Sequence, residues 1–292
     1  MTPPRFSVIE AMMPSQTFEE DLAACRAIGA DGIGLNEAKL GDLDQDLEWL
    51  RASGLAVSSA FPAMQAILPG PYAPTPRNPA TRIAAIIESI RRLAPFEPSC
   101  VNVTTGPFGV YEECGGRAIV VAGLRELAAA AGDLGLTVAV EVMHPSIRDQ
   151  FSFITNIPAA LDLLDEASPP NLALALDAWH VGDSPDALAQ LREQAARFAT
   201  FHLDDRRETT RSWADRVLPG DGILDLEAIL GSLDDGGFAG WFELEVISDD
   251  GSIEQAFYDS LWKRDPLELA SAGRRQFMSL WEQRRHGPGG AA

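Results

Sequence analysis

The sequence predicts an α/β fold, a single (β/α)8 TIM barrel, and three observations carry that prediction. Short β-rich runs alternate with longer helical patterns from end to end, eight such units can be counted, and 292 residues with 46% hydrophobic composition suit one large core. The strands run Phe6 to Ala11, Gly32 to Asn36, Leu55 to Phe61, Cys100 to Thr105, Thr137 to Val142, Leu172 to Asp177, Ala199 to Asp204 and Trp241 to Val246. Helices fill the gaps. The first begins near Thr17, carries Glu19, Glu20 and Asp21 in its opening turn where the helix dipole favours acids, and ends at Gly29. Two gaps exceed a minimal βα turn, Phe61 to Pro79 and Asp204 to Ile223, and structured loops of that length are candidate lids. The barrel is expected over residues 1–286, followed by a low-complexity tail, GPGGAA at 287–292, expected to be disordered.

Composition removes several function classes. Lys plus Arg number 23 against 43 Asp plus Glu, a formal net charge of -20, so a phosphate-rich polymer meets a repulsive field and nucleic acid is not an expected partner. The start, MTPPRFSVIE, lacks a basic segment followed by an apolar run, and no long apolar stretch follows, so a cytoplasmic protein with no membrane partner is expected. Cys25, Cys100 and Cys114 are odd in number and show no C-x-x-C spacing; they read as buried small hydrophobes, not as a disulfide or thiolate framework. The run GADGIG stands where a helix meets a strand, not where a strand opens a helix, so it is no dinucleotide fingerprint. Neither G-x-S-x-G nor H-E-x-x-H occurs.

The chemistry lies at the ends of the last four strands. With alternating faces, Val138, Val140 and Val142 point to the covering helices while Thr137, Ala139 and Glu141 point into the barrel. Likewise Ala173, Ala175 and Asp177, then Thr200, His202 and Asp204, then Trp241, Glu243 and Glu245 form inward rows. Ionisable groups thus converge on one rim. Bare carboxylates cannot be buried there without a positive partner, and those strands offer few inward Lys or Arg. One divalent metal ion (Mn2+, Mg2+, Co2+ or Zn2+) held by Glu141, Asp177, His202 and Glu245 would satisfy three carboxylates and an imidazole at once. Glu245 and Glu141 are each the fifth residue counted from Trp241 and Thr137, which puts both at the rim. Glu243 falls one layer deeper, in a structural role.

The runs VEVMHP, LALDAWHVGD, FHLDD, PGDGILDLEAIL and GFAGWFELEV, with LAACRAIGADGIGL in the first helix, resemble the sugar phosphate isomerase/epimerase group of xylose isomerase-like TIM barrels. The resemblance spans most of the chain from residue 20 to 250. It implies the same four ligands, a substrate-contacting role for His180 and a substrate-binding role for Arg216; His144 and Trp179, beside them at the rim, are further substrate-binding candidates. The implied substrate is a small carbohydrate-like molecule. It chelates the metal through adjacent oxygens, loses a C–H proton to form an enediolate, and is reprotonated, with Glu141 and Glu245 as acid and base. Departure of a β-hydroxyl from the same intermediate makes a dehydratase of an inosose-like or dehydroshikimate-like substrate the alternative. An apurinic endonuclease of this barrel type resembles a three-metal site with further histidines, which four histidines and an acidic chain do not supply. A binding protein without catalysis is the remaining class. The segment after Glu245, SDDGSIEQAFYDSLWKRDP, is long enough to add a wall to the site, and Trp262, Phe277 and Trp281 either close the last helix onto the barrel or serve a homo-oligomer interface.

Overall fold

A computed structural model describes residues 3–285; the expected tail, and residue 286 at the end of the expected domain, lie outside the described residues. Eight parallel strands close into a barrel in which strands consecutive in sequence pair and the first joins the last. They are β1 (Phe6–Ile9), β2 (Gly32–Asn36), β3 (Ala56–Phe61), β4 (Val101–Val103), β5 (Val138–Glu141), β6 (Leu172–Asp177), β7 (Phe198–Leu203) and β8 (Trp241–Leu244). All eight sequence-predicted strands are present, and the ends that differ lie mostly at the rim. There the chain leaves the ladder to build the mouth: β1 gives way to a 3-10 turn at Glu10–Met12, and Glu245 keeps only a backbone bond from its N–H to Leu203 O at 3.1 Å.

Helix α1 (Phe18–Ile28) shows why such short sequences fold locally. Thr17 accepts a hydrogen bond from the Glu20 amide while the Glu20 side chain accepts from the Thr17 amide, and Gly29 ends the helix at φ 71°, a conformation that favours glycine. At the other end of the chain, the helix Pro266–Gln283 seals the barrel: Phe277 stacks on Phe6 at 5.5 Å and lies 5.3 Å from Phe242, and Trp281 meets Phe242 at 5.3 Å. Phe277 and Trp281 therefore close the last helix onto the barrel. Trp262 does something else, donating its indole N–H to Val246 O at 2.9 Å beside the mouth. No helix among the described residues is long and apolar enough to cross a membrane.

Two cysteines are buried as expected, but Cys114 is exposed, because it lies in the turn that precedes the helix Gly116–Gly132 and not on an inward face. Burial pushes the Cys25 and Cys100 thiols well above their ordinary range. Alkylation of the native protein is therefore expected to label one thiol, on the peptide containing Cys114; labelling of all three without denaturant would contradict the packing.

Beside the mouth, Glu10 and Asp21 are fully buried around Lys39, which bonds to Asp21, while Glu10 accepts from the Asn36 amide at 2.6 Å. Burial raises the Glu10 carboxyl well above its usual value, with the Asp21 charge adding to the shift. A raised carboxyl pKa means the folded state prefers the protonated form, so the ionised group costs stability at neutral pH and that cost disappears as pH falls. Glu10→Gln keeps an acceptor for Asn36 and removes the charge. A gain of about 1 kcal/mol, or roughly 2–4 °C in Tm, is expected by thermal unfolding at pH 7. A lower Tm would show that attraction to Lys39 outweighs burial.

Candidate metal centre and the cavities around it

The inward rows fall where alternation places them. Ala139 and Ala175 pack with Cys100 inside the barrel, whereas Val138, Val140, Val142, Leu174 and Leu176 belong to the outer core against the helices. Small side chains in the interior leave room above them for charged ones. Register then aligns the ionisable groups: Asp177 pairs with His202 across β6 and β7, and His202 pairs with Glu243 across β7 and β8.

One donor atom from each of Glu141, Asp177, His202 and Glu245 lies within 4.8 Å of the other three. Nδ1 of His202 is 3.3 Å from Glu245 Oε2, 3.4 Å from Glu141 Oε1 and 3.8 Å from Asp177 Oδ2. Although fully buried, that nitrogen has no hydrogen-bond partner among the described residues. A buried nitrogen facing three carboxylate oxygens fits a ligand to a divalent cation, and the donor set is the mixed oxygen and nitrogen type such ions accept. Without an ion, burial alone would lower the His202 pKa, but Glu245 and the neighbouring carboxylates push it well above its ordinary value.

The deeper Glu243 occupies the layer beneath. Its Oε1 accepts from the hydroxyls of Ser58 and Ser59, the latter at 2.7 Å, and its Oε2 is 3.4 Å from His202 Nε2. Gly34 makes space for it: a Cβ there would sit 3.2 Å from Glu243 Oε1 and 2.9 Å from Ile9. With Nε2 facing a carboxylate, the proton of a neutral His202 belongs on Nε2, leaving the Nδ1 lone pair aimed at the cluster.

Asp177 serves two directions at once. Its Oδ1 caps the four-residue helix Ala178–Val181, accepting from the amides of Trp179 at 2.7 Å and His180 at 3.3 Å. Its Oδ2 accepts from Arg216 at 2.5 Å; the same guanidinium nitrogen donates to Asp204 at 2.8 Å and Glu245 at 3.1 Å. Burial works against ionisation of Asp177, but Arg216 holds its carboxyl well below the usual range. Arg216 thus supplies positive charge that the strands lack, reaching inward from a short hairpin, Asp205–Arg206 with Arg216–Val217, inside the second long gap. It comes from a loop and not from the strands, which themselves offer few inward Lys or Arg. One guanidinium and one imidazole sit among five buried carboxyl groups, Glu141, Asp177, Asp204, Glu243 and Glu245, an acid-rich setting suited to a further cation.

A cavity of about 400 Å³ opens above the cluster. Glu141, His180, Arg216 and Glu245 line it; Asp177 and His202 do not, and both of those are 0% exposed against 6% for Glu141 and 8% for Glu245. His180 Nδ1 accepts the His144 amide at 3.3 Å, and burial pushes its pKa down to about 3, so the ring is neutral with its Nε2 proton available to a ligand. His144 and Trp179 line a separate, adjoining cavity instead. Both long gaps reach the mouth: Gln65, Tyr72 and Ala73 from the first and Trp213 and Arg216 from the second line the 400 Å³ cavity. So do Ile247, Ile253 and Trp262 from the segment after Glu245, held by Asp249, which accepts from the amides of Gly251, Ile253, Glu254 and Gln255.

Sequence reading missed the clasp over this cavity. Tyr72 stacks on Phe151 at 4.6 Å and meets Trp213 edge-on at 5.6 Å, its hydroxyl accepts from Trp213 Nε1 at 3.0 Å, and it donates to Glu254 at 2.5 Å. Four loops meet there. Their aromatic residues follow no strand or helix period, so only the length of the gaps could have marked two of them.

The profile of the family described as "Xylose isomerase-like TIM barrel" matches residues 22–271. The chain belongs to that family. Among curated relatives, it is 29% identical over 128 residues to an inosose isomerase of Bacillus licheniformis, covering 42% of this chain and 44% of the relative. It is also 25% identical over 175 residues to an inosose dehydratase of Erwinia tasmaniensis, covering 54% of this chain and 53% of the relative. The chain thus spans about half the length of the curated relatives it matches. Among solved structures, a protein from Sinorhizobium meliloti 1021 superposes with TM-score 0.81 at 22% identity, covering 97% of this chain and 99% of that one. The IOLI protein, solved with a binding zinc atom, superposes with TM-score 0.79 at 18% identity over 96% of this chain and 99% of that one. At these identities the likeness shows the fold.

Proposed function

We propose that the protein is a divalent-metal-dependent isomerase or epimerase of a small sugar, keto-sugar or polyol derivative. The observation that carries the reading is the division of labour in the cluster: four donor atoms surround one point, yet only Glu141 and Glu245 of the four also face the cavity. Asp177 and His202 act as anchors, while Glu141 and Glu245 hold a free edge toward a substrate. A divalent ion bound there supplies Lewis acidity to adjacent oxygens of an α-hydroxy ketone or aldehyde, favouring loss of the neighbouring C–H proton. Glu141 and Glu245 stand on β5 and at the end of β8, the outer two of four adjacent strands, and so flank the substrate carbon from two sides. One takes the proton to give the enediolate and the other returns one; the face or carbon at which it returns decides between epimer and isomer. His180 offers its Nε2 proton to a substrate hydroxyl. Arg216 donates to Asp177, Asp204 and Glu245 and holds the Asp177 carboxyl ionised.

The names of the relatives support chemistry on inosose-type compounds, and the match to both isomerases and dehydratases favours one second reading. If a β-hydroxyl leaves from the enediolate, the protein is a dehydratase. The deciding experiment loads the protein with Mn2+, Mg2+, Co2+ or Zn2+ in turn and follows a panel of ketoses and inososes in D2O. Deuterium in recovered or rearranged sugar supports isomerase or epimerase; loss of water from the product supports dehydratase; bound metal with neither outcome rejects both. In the same assay His180→Ala is expected to weaken substrate binding by about 10-fold, the worth of one buried hydrogen bond, while metal affinity changes little. The opposite pattern would make His180 a metal ligand.

A further inference from the structure

Beside the metal cavity lies a second one, of about 560 Å³, which shares Ile147, Gln150 and Trp213 with the first. Much of its remaining lining is polar, with Ser146, Arg206, Arg207, Thr210 and Arg211 prominent. The three arginines carry no spare charge. Arg206 pairs with Asp183, Arg207 with Asp215 at 2.9 Å, and Arg211 with Asp215 and, at 2.8 Å, with Asp259. A phosphate or carboxylate would have to compete with those aspartates, whereas neutral hydroxyls can accept from the guanidinium groups without parting the pairs.

Two of the lining residues each carry an unmatched buried polar atom. Gln150 Oε1 and Trp179 Nε1 have no hydrogen-bond partner among the described residues, and Trp179 is only 2% exposed. One is an acceptor and the other a donor, the complement of a hydroxyl-bearing ligand, and buried groups of this kind are rarely left unpaired. Trp213 and the half-exposed Ile223 add apolar surface for the C–H face of a sugar ring.

We propose that this second cavity is a subsite for a neutral polyhydroxylated ring, so that the substrate is a keto-sugar bearing a further sugar residue and not a phosphorylated monosaccharide. The proposal rests on the metal-cavity reading above, which places the ketose end against Glu141 and Glu245, and it gives His144 and Trp179 a substrate-facing position outside that cavity.

The test is calorimetric titration of the metal-loaded protein with D-fructose, D-fructose 6-phosphate and lactulose, a fructose carrying a galactosyl residue. Lactulose is expected to bind about tenfold or more tighter than fructose, the worth of one or two neutral hydrogen bonds. Trp179→Phe, which deletes the N–H, and Thr210→Tyr, which fills the cavity from its outer loop, are each expected to bring the lactulose-to-fructose ratio toward one. Equal affinity for the two sugars, tightest binding of the phosphate, or a ratio unmoved in both variants would overturn the proposal. Metal bound without any fructose binding would instead strike down the metal-cavity reading, and this proposal with it. Fructose that binds and exchanges a proton while lactulose gains nothing overturns the second subsite alone.

Discussion

Glu141→Gln and Glu245→Gln are each expected to cut solvent-proton exchange into a ketose substrate by about 10²–10⁴-fold while the protein folds and melts as before. The reason lies in what the amide retains. Gln has the shape of Glu and keeps an acceptor oxygen, so the Asn102 bond to Glu141 at 3.4 Å and the Arg216 bond to Glu245 at 3.1 Å both have a partner in the variants. What is lost is a carboxylate able to take and return a proton. The measurement is deuterium incorporation at saturating metal, with metal content checked in each variant so that weaker ligation is not mistaken for lost proton transfer. Undiminished exchange in both variants would remove these residues from acid/base chemistry and leave them as ligands only.

Glu243→Gln should lower metal affinity by about 10- to 100-fold, although residue 243 touches neither the cavity nor the expected ion. The effect runs through a tautomer. Glu243 Oε2 lies 3.4 Å from His202 Nε2 and favours a proton there, whereas the amide of Gln can present its NH2 and favour an unprotonated Nε2. The proton then moves to Nδ1, the atom that faces Glu141, Asp177 and Glu245. Gln also keeps an oxygen for Ser58 and Ser59, so the fold is expected to survive. Glu243→Ala, which strands those hydroxyls in the barrel, should lower the melting temperature as well. Competition with a chelating dye measures the first effect. Wild-type affinity in Glu243→Gln would show that His202 is oriented by something else.

Much of this site could be read from period-two alternation. A row such as Thr137, Ala139, Glu141 admits one interpretation once its partners Val138, Val140 and Val142 face the helices, and the fold bears this out. The same rule separated Glu243 from Glu245, because two residues along one face are one layer apart in the barrel. The rule stops where the strand stops. After Asp177 the chain turns at once into the helix Ala178–Val181, where neighbouring residues point about 100° apart. His180 therefore lines the metal cavity while Trp179 lines the next one. Arg216 was legible as a residue but not as a partner of three carboxylates, since its hairpin is set by loop contacts with no periodic signature. Cys114 shows the converse error: a cysteine's usual preference for the interior says nothing about a position in a turn.

The clasp of Tyr72, Phe151, Trp213 and Glu254 joins loops that follow β3, β5, β7 and β8, strands far apart in sequence. Parting any one of these loops from the rest breaks ring contacts or hydrogen bonds on the same tyrosine. Tyr72 is thus an anchor common to the other three loops at the mouth.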